Sequence, residues 1–130
     1  INIFNNGNLS RDFTYIDDII EVLTRLIYKP ATQSENFNPD KPIPSQSNCP
    51  HRIFNVGNGN ETQLMDFIKI LENELGQKAI KRFTSMQKGD VFATLADTSY
   101  IKEWTGFAPN TSIEEGIKKF AQWFRSYYIN

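Results

Sequence analysis

Residues 53–62 read IFNVGNGNET and combine an apolar run with a glycine turn. The apolar residues Ile53, Phe54 and Val56 lead directly into Gly57-Asn58-Gly59, and a helix-like pattern follows. An apolar run, a glycine turn and a helix in this order are typical of a βα unit, so the stretch predicts a mixed α/β domain. Dinucleotide-binding proteins hold their pyrophosphate at such a turn, which raises the question of whether NAD binds here.

Helical periodicity occurs on both sides of this stretch. Residues 16–29 and 64–75 each carry apolar side chains at i, i+3, i+4, i+7 and i+11, which predicts two amphipathic helices. Thr111-Ser112-Ile113-Glu114 has the form of a capping box, which begins a last helix. The predicted fold class is therefore α/β, with helices at residues 16–29, 64–75, 98–104 and from 113 onward, and a few short strands at residues 1–4, 52–56 and 79–83. The apolar face of the first helix comprises Ile16, Ile19, Ile20, Leu23 and Ile27.

Residues 31–52 are predicted to form a long Pro-rich loop. They contain four prolines among scattered Ser, Asn and Gln, and they show no periodicity. Loops of about twenty residues are uncommon inside compact domains and are often functional or mobile. Either a flexible connection or a contact with a partner fits this composition.

The composition excludes several classes of protein. With 14 Lys and Arg against 15 Asp and Glu, the chain lacks the basic excess of a nucleic-acid-binding domain. No apolar run approaches the ~20 residues of a membrane span, so we expect no membrane partner. Cys49 is the single cysteine and His51 the single histidine. We therefore expect no disulfide, no metal site and a cytoplasmic location.

The glycine turn does not complete a dinucleotide fingerprint. In G-x-G-x-x-G the third glycine allows the helix to pack closely on the strand, but Thr62 stands at that position. A Tyr-x-x-x-Lys pair is also missing, because Tyr15 is followed four residues later by Ile19, and Tyr100 by Trp104. We expect neither a cofactor site nor a catalytic residue within these 130 residues.

Several motifs in order resemble those of one enzyme family. NLSRDFTYIDD at residues 8–18 resembles the RRDFxYVDD segment of sugar-nucleotide epimerases of the extended short-chain dehydrogenase/reductase family, and FNVGN at 54–58 resembles their YNIGN. Further matches are MQKGDV at 86–91, ADTS at 96–99 and the stretch at 106–117. The similarity covers essentially the whole chain, which opens without Met at INIFNNG.

The resemblance implies a domain organisation. Residues 1–130 would be the C-terminal nucleotide-sugar-binding domain of a longer, extended Rossmann-type epimerase. NAD, the glycine fingerprint and the Tyr-x-x-x-Lys pair would belong to an N-terminal Rossmann domain upstream of Ile1. Because the family packs these two parts together, the chain alone should expose an apolar patch and form a homodimer or a marginally stable monomer.

Within the family, the chain most resembles the UDP-glucuronate 4-epimerases. These enzymes invert C4 of UDP-glucuronate to make UDP-galacturonate for surface polysaccharides. Gln87 stands where UDP-galactose 4-epimerases commonly have Arg, and the 31–52 loop resembles that of the glucuronate group. Three alternatives stay open: a UDP-glucuronate decarboxylase, a dTDP-glucose dehydratase, and a free-standing, non-catalytic domain that binds a nucleotide sugar or a partner.

The resemblance also assigns substrate-binding residues for a UDP-sugar. Arg11 would contact the diphosphate, for which a guanidinium fork is well suited. Asp90 and Gln87 would hold the ribose hydroxyls and the neighbouring phosphate, while Asn55 and Leu64 would line the nucleotide pocket. Structural alternatives are a local pair of Arg11 with Asp12 or Asp17, a plain turn at Asp90 and a core position for Leu64. Asp12 and Phe13 would position Arg11.

Overall fold

The computed structural model describes residues 1–128 and confirms a mixed fold of helices with a few short strands. A 3-10 turn at Phe4–Gly7 follows the first strand. In chain order the elements are β1 (Asn2–Ile3), β2 (Ser10–Asp12), α1 (Ile16–Tyr28), β3 (Glu61–Gln63), α2 (Leu64–Leu75), β4 (Arg82–Phe83), α3 (Ser99–Thr105) and α4 (Ile113–Tyr128).

The strands form two separate pairs. β1 lies parallel to β4, with Ile3 opposite Phe83. β2 lies antiparallel to β3, with Arg11 opposite Thr62. Two-stranded sheets are marginally stable alone, so their position depends on the helices and on side-chain contacts.

Helix packing supplies the core. α2 packs against α4, and Phe13, which follows β2, stacks on Phe67 of α2 with ring centroids 4.3 Å apart. No helix among residues 1–128 is both long and apolar enough to cross a membrane. The buried apolar side chains are Ile3, Leu9, Val22, Ile68, Ile101, Ile117 and Ala121.

The predicted helix at residues 16–29 is present as α1, but its apolar face is exposed. Ile20 and Leu23 are 53% and 51% exposed, and Ile27 is 76% exposed. The side of α1 that carries Val22 is buried instead. We call Ile16, Ile20, Leu23 and Ile27 the α1 apolar face.

The expected strand at residues 52–56 is wrong. Arg52 makes only an isolated bridge with Gln46, and the Ile53 amide donates to the Ser45 carbonyl at 3.2 Å. No strand among the described residues pairs with this segment, so its apolar run forms no ladder. Phe54 packs on an aromatic ring instead, with its centroid 4.9 Å from that of Tyr100.

Other predicted boundaries also change: β1, α1 and α3 extend over Asn2–Ile3, Ile16–Tyr28 and Ser99–Thr105 rather than 1–4, 16–29 and 98–104. The strand expected at 79–83 is reduced to Arg82–Phe83. The capping residue of α4 is Ser112 rather than Thr111, because the Ser112 hydroxyl accepts the Glu115 amide at 3.2 Å. The C-terminal cap predicted at Gly76 is present, with a left-handed backbone at φ 69°.

Asp18 joins α1 to the start of α4. Its buried carboxylate accepts the amides of Asn110 and Thr111 at 3.3 and 3.0 Å. An acid in the first turn of a helix is favoured by the helix dipole. Here it also fixes the chain that leads into another helix.

Glu72 of α2 is a buried carboxylate surrounded by donors. Lys81 and Lys78 form ion pairs with it, and the Ala79 amide donates to it at 2.9 Å. The hydrogen bond from Lys81, followed by that from Ala79, lowers the pKa of Glu72 from 4.5 to about 2. The carboxylate therefore joins α2 to the segment that precedes β4.

The lowered pKa of Glu72 predicts how stability depends on pH. Because the folded pKa lies below the ordinary one, this contribution is complete above pH 4.5 and is lost as pH falls towards about 2. Glu72→Gln should lower the melting temperature at pH 7, and the difference from wild type should shrink across that acid range. Thermal unfolding followed by circular dichroism measures this. A difference independent of pH would contradict it.

Candidate functional site

The glycine turn holds a carboxylate of the chain itself. The amides of Asn58 and Gly59 donate to the two carboxylate oxygens of Asp12, at 2.8 and 3.0 Å. Successive backbone amides in a turn form a concave site that suits an anion. The anion in this turn is therefore the side chain of Asp12 from β2.

Gly57 is needed because Asp12 and Ala96 approach its backbone closely. A Cβ at Gly57 would lie 2.6 Å from Asp12 Oδ2 and 2.5 Å from Ala96 Cβ. The Ala96 amide also donates to Asp12 Oδ2 at 3.0 Å. The turn residues do not fit an NAD pyrophosphate, since their amides already bind a carboxylate.

Arg11 and Asp90, which are far apart in the sequence, meet in the structure. Arg11 Nη2 lies 2.6 Å from Asp90 Oδ1, and Arg11 Nη1 donates to the carbonyls of Ser10 and Phe92 at 2.7 and 3.3 Å. The two charged side chains are 25% and 31% exposed, so solvent reaches both. The partner of Arg11 is thus Asp90 rather than Asp12 or Asp17, the local partners considered from the sequence.

A tight turn presents Asp90. Its amide donates to the Gln87 carbonyl at 3.2 Å, and Gly89 between them has a φ of 85°. Asp90 Oδ1 also accepts the Val91 amide at 2.8 Å. Both hydrogen bonds that Asp90 accepts from residues 1–128 use Oδ1. The Gln87 side chain is exposed near this turn.

Segment 90–96 runs alongside β2. The Ser10 amide donates to the Phe92 carbonyl at 2.9 Å, and the Asp12 amide donates to Thr94 Oγ1 at 3.3 Å. Segment 90–96 and β2 therefore run parallel to each other over these residues. Sequence reasoning assigned no role to Thr94 or Ala96, because nothing local to either residue indicates that it pairs with β2.

Asn55 and Leu64 lie in different places. Asn55 is exposed and lines an open pocket of about 430 Å³ that also includes Asp12 and Thr94. The Leu64 amide donates to the Leu9 carbonyl at 2.8 Å, and its side chain lines a mainly apolar cleft between α2 and β1. Asn55 therefore shares a pocket with Asp12, whereas Leu64 lies at a separate apolar cleft.

Comparisons with known proteins give close relatives over almost the whole chain. Protein CapI of Staphylococcus aureus is 39% identical over 128 residues, covering 98% of this chain and 38% of CapI. UDP-glucuronate 4-epimerase 4 of Arabidopsis thaliana is 38% identical over 125 residues, covering 95% of this chain and 28% of that protein. The chain thus spans well under half the length of these relatives. No family model matches it.

Solved structures agree with the fold. A UDP-glucuronic acid 4-epimerase from Bacillus cereus, in complex with UDP-glucuronic acid and NAD, superposes with a TM-score of 0.73 at 25% identity. The match covers 98% of this chain and 35% of that one. A UDP-glucose 4-epimerase from Thermotoga maritima with UDP-glucose gives a TM-score of 0.73 at 26% identity, over 97% of this chain and 35% of that one. The chain is therefore similar over almost its whole length to nucleotide-sugar epimerases, and its fold matches the C-terminal part of these Rossmann-type enzymes.

Proposed function

We propose that this chain is the UDP-sugar-binding part of an NAD-dependent epimerase that interconverts UDP-glucuronate and UDP-galacturonate at C4. The observation that carries the proposal is the meeting of Arg11 with Asp90 on an open surface. Relatives named UDP-glucuronate 4-epimerase, and a B. cereus structure with UDP-glucuronic acid, support this choice of substrate.

Arg11 supplies the charge for the diphosphate. Its guanidinium is held by Asp90 and by the Ser10 carbonyl, so its direction is fixed before a ligand arrives. A guanidinium binds phosphate oxygens through several charge-assisted hydrogen bonds. The second carboxylate oxygen of Asp90 can accept hydrogen bonds from ribose hydroxyls. The side-chain amide of Gln87 lies near the same turn.

A firm hold on the nucleotide suits inversion at C4. The sugar must present each of its faces in turn, so the groups that bind it tightly have to be remote from the reacting carbon. Binding energy from remote parts of a substrate can fix its position without contacting the reacting atoms. Arg11, Gln87 and Asp90 would provide this hold at the diphosphate and ribose.

NAD does not fit the glycine turn of this chain, so we assign it to the remainder of the full-length protein. The α1 apolar face is proposed to pack on that remainder. Ile16 of this face also lines an apolar cavity of about 330 Å³ between α2 and α4, which extends the apolar surface. The cytoplasmic location and the lack of nucleic-acid and membrane partners stay predictions.

Calorimetry with UDP and UDP-glucuronate tests the proposed site. Arg11→Ala should weaken binding about tenfold or more, because it removes charge-assisted hydrogen bonds to phosphate. Arg25→Ala is a matched control, since Arg25 also pairs with a carboxylate at 2.6 Å, that of Glu21 on α1. Equal affinities of the wild type and the Arg11→Ala variant would contradict the assignment.

The α1 apolar face predicts self-association of the isolated chain. A contiguous exposed apolar patch favours burial against a second copy when its normal partner is missing. Sedimentation velocity should show dimers that Ile20→Gln with Leu23→Gln converts to folded monomers, because both side chains are about half exposed and neither belongs to the buried core. A wild-type chain that sediments as a highly stable monomer would count against this expectation.

A further inference from the structure

We infer that Asp12 is a positioning residue for the nucleotide site, although it would not contact the ligand. The inference rests on the proposed function for its effect on binding, but its structural part is independent of any ligand. Asp12 holds segment 90–96 against β2, so that Asp90 lies beside Arg11.

Asp12 contacts two other segments of the chain. Its carboxylate accepts the amides of Asn58 and Gly59 from the glycine turn, and Oδ2 also accepts the Ala96 amide. Its own backbone amide donates to Thr94 Oγ1. Asp12 therefore contacts segment 90–96 at two residues and joins it to a turn more than thirty positions earlier in the chain.

Little apolar packing holds this segment in place. Phe92 and Leu95 are 68% and 58% exposed, and Val91 is 51% exposed. A segment with few buried apolar side chains depends on its polar contacts for its position. Hydrogen bonds to a charged acceptor are stronger than those to a neutral one. The hydrogen bond from the Ala96 amide to Asp12 therefore contributes strongly to holding the segment in position.

The position of the segment sets the geometry of the candidate site. Asp90 reaches Arg11 at one end of the segment, and the Phe92 carbonyl accepts from both Arg11 and Ser10 near its middle. If the end at Ala96 is released, Asp90 and the Phe92 carbonyl lose their fixed distance from Arg11. The guanidinium would then lose its direction although each ligand-contacting residue is still present.

Asp12→Asn tests this inference, with Glu72→Gln as the matched control. Both changes convert a carboxylate that accepts backbone amides into a carboxamide, but Glu72 contacts neither segment 90–96 nor the glycine turn in the described structure. Amide hydrogen exchange of the ligand-free protein is read at two positions. The Ser10 amide reports its contact with Phe92, and the Leu64 amide reports the junction of β2 with α2.

Asp12→Asn should speed exchange at Ser10 about tenfold more than at Leu64, because a charge-assisted contact is lost locally. Glu72→Gln should change the two rates by similar factors, as overall destabilisation does. Equal acceleration at Ser10 and Leu64 in the Asp12→Asn variant would overturn the inference. The hydrogen-exchange measurement needs no ligand, so it tests the inference even if UDP does not bind.

Calorimetry with UDP forms the second arm. Asp12→Asn should weaken UDP binding about tenfold at a temperature where it is fully folded, and Glu72→Gln should leave the affinity unchanged. Unchanged affinity in the Asp12→Asn variant, in a protein whose wild type binds UDP, would overturn the positioning role. Failure of UDP to bind the wild type would instead contradict the proposed function.

A second variant serves if Asp12→Asn does not fold. Thr94→Val removes the acceptor of the Asp12 backbone amide, and because Thr94 is exposed we expect this variant to fold. It should also speed exchange at Ser10 relative to Leu64 and weaken UDP binding, by smaller factors because the lost contact is uncharged. Wild-type exchange and affinity in this variant would overturn the inference.

Discussion

The carboxylate of Asp12 determines how three distant parts of the chain meet. It comes from a short strand, it fills the turn at Gly57-Asn58-Gly59, and it holds the Ala96 amide. A carboxylate that is withdrawn in part from solvent is costly unless donors surround it, and three backbone amides donate to Asp12. The glycine turn, which resembles a phosphate-binding loop in sequence, does bind an anion, but that anion belongs to the protein.

The same principle recurs at two other carboxylates. Asp18 fixes the chain that enters α4, and Glu72 joins α2 to the segment before β4. The strands are only two or three residues long, so backbone ladders contribute little to the arrangement of the helices. Carboxylates that accept backbone amides from other segments of the chain supply this connection instead. The candidate nucleotide site is built on one of them, because Arg11 directly precedes Asp12.

The sequence predicts the local elements well and their long-range partners poorly. Apolar periodicity predicted α1 and α2, and Gly76 predicted where α2 ends, because these signals act within a few residues. The strand predicted at 52–56 was wrong because a strand needs a partner, and a local apolar run does not provide one. The partners of Arg11 and Asp12 lie up to 84 residues away, so no spacing rule could pair them. The family resemblance predicted Arg11 and Asp90 as separate substrate-binding residues, and the fold brings their side chains into contact.

The most direct test of this account is an NMR titration of the backbone amides and arginine side chains with UDP and, separately, with NAD. UDP should shift the guanidinium signal of Arg11 and the amides of Asp90 and Val91, because Arg11 and Asp90 form a solvent-accessible ion pair and the Val91 amide donates to the Asp90 carboxylate. The amides of Asn58 and Gly59 should not respond to NAD, since Asp12 already occupies them. Saturable shifts at Asn58 and Gly59 with NAD, and none at Arg11 with UDP, would contradict the account.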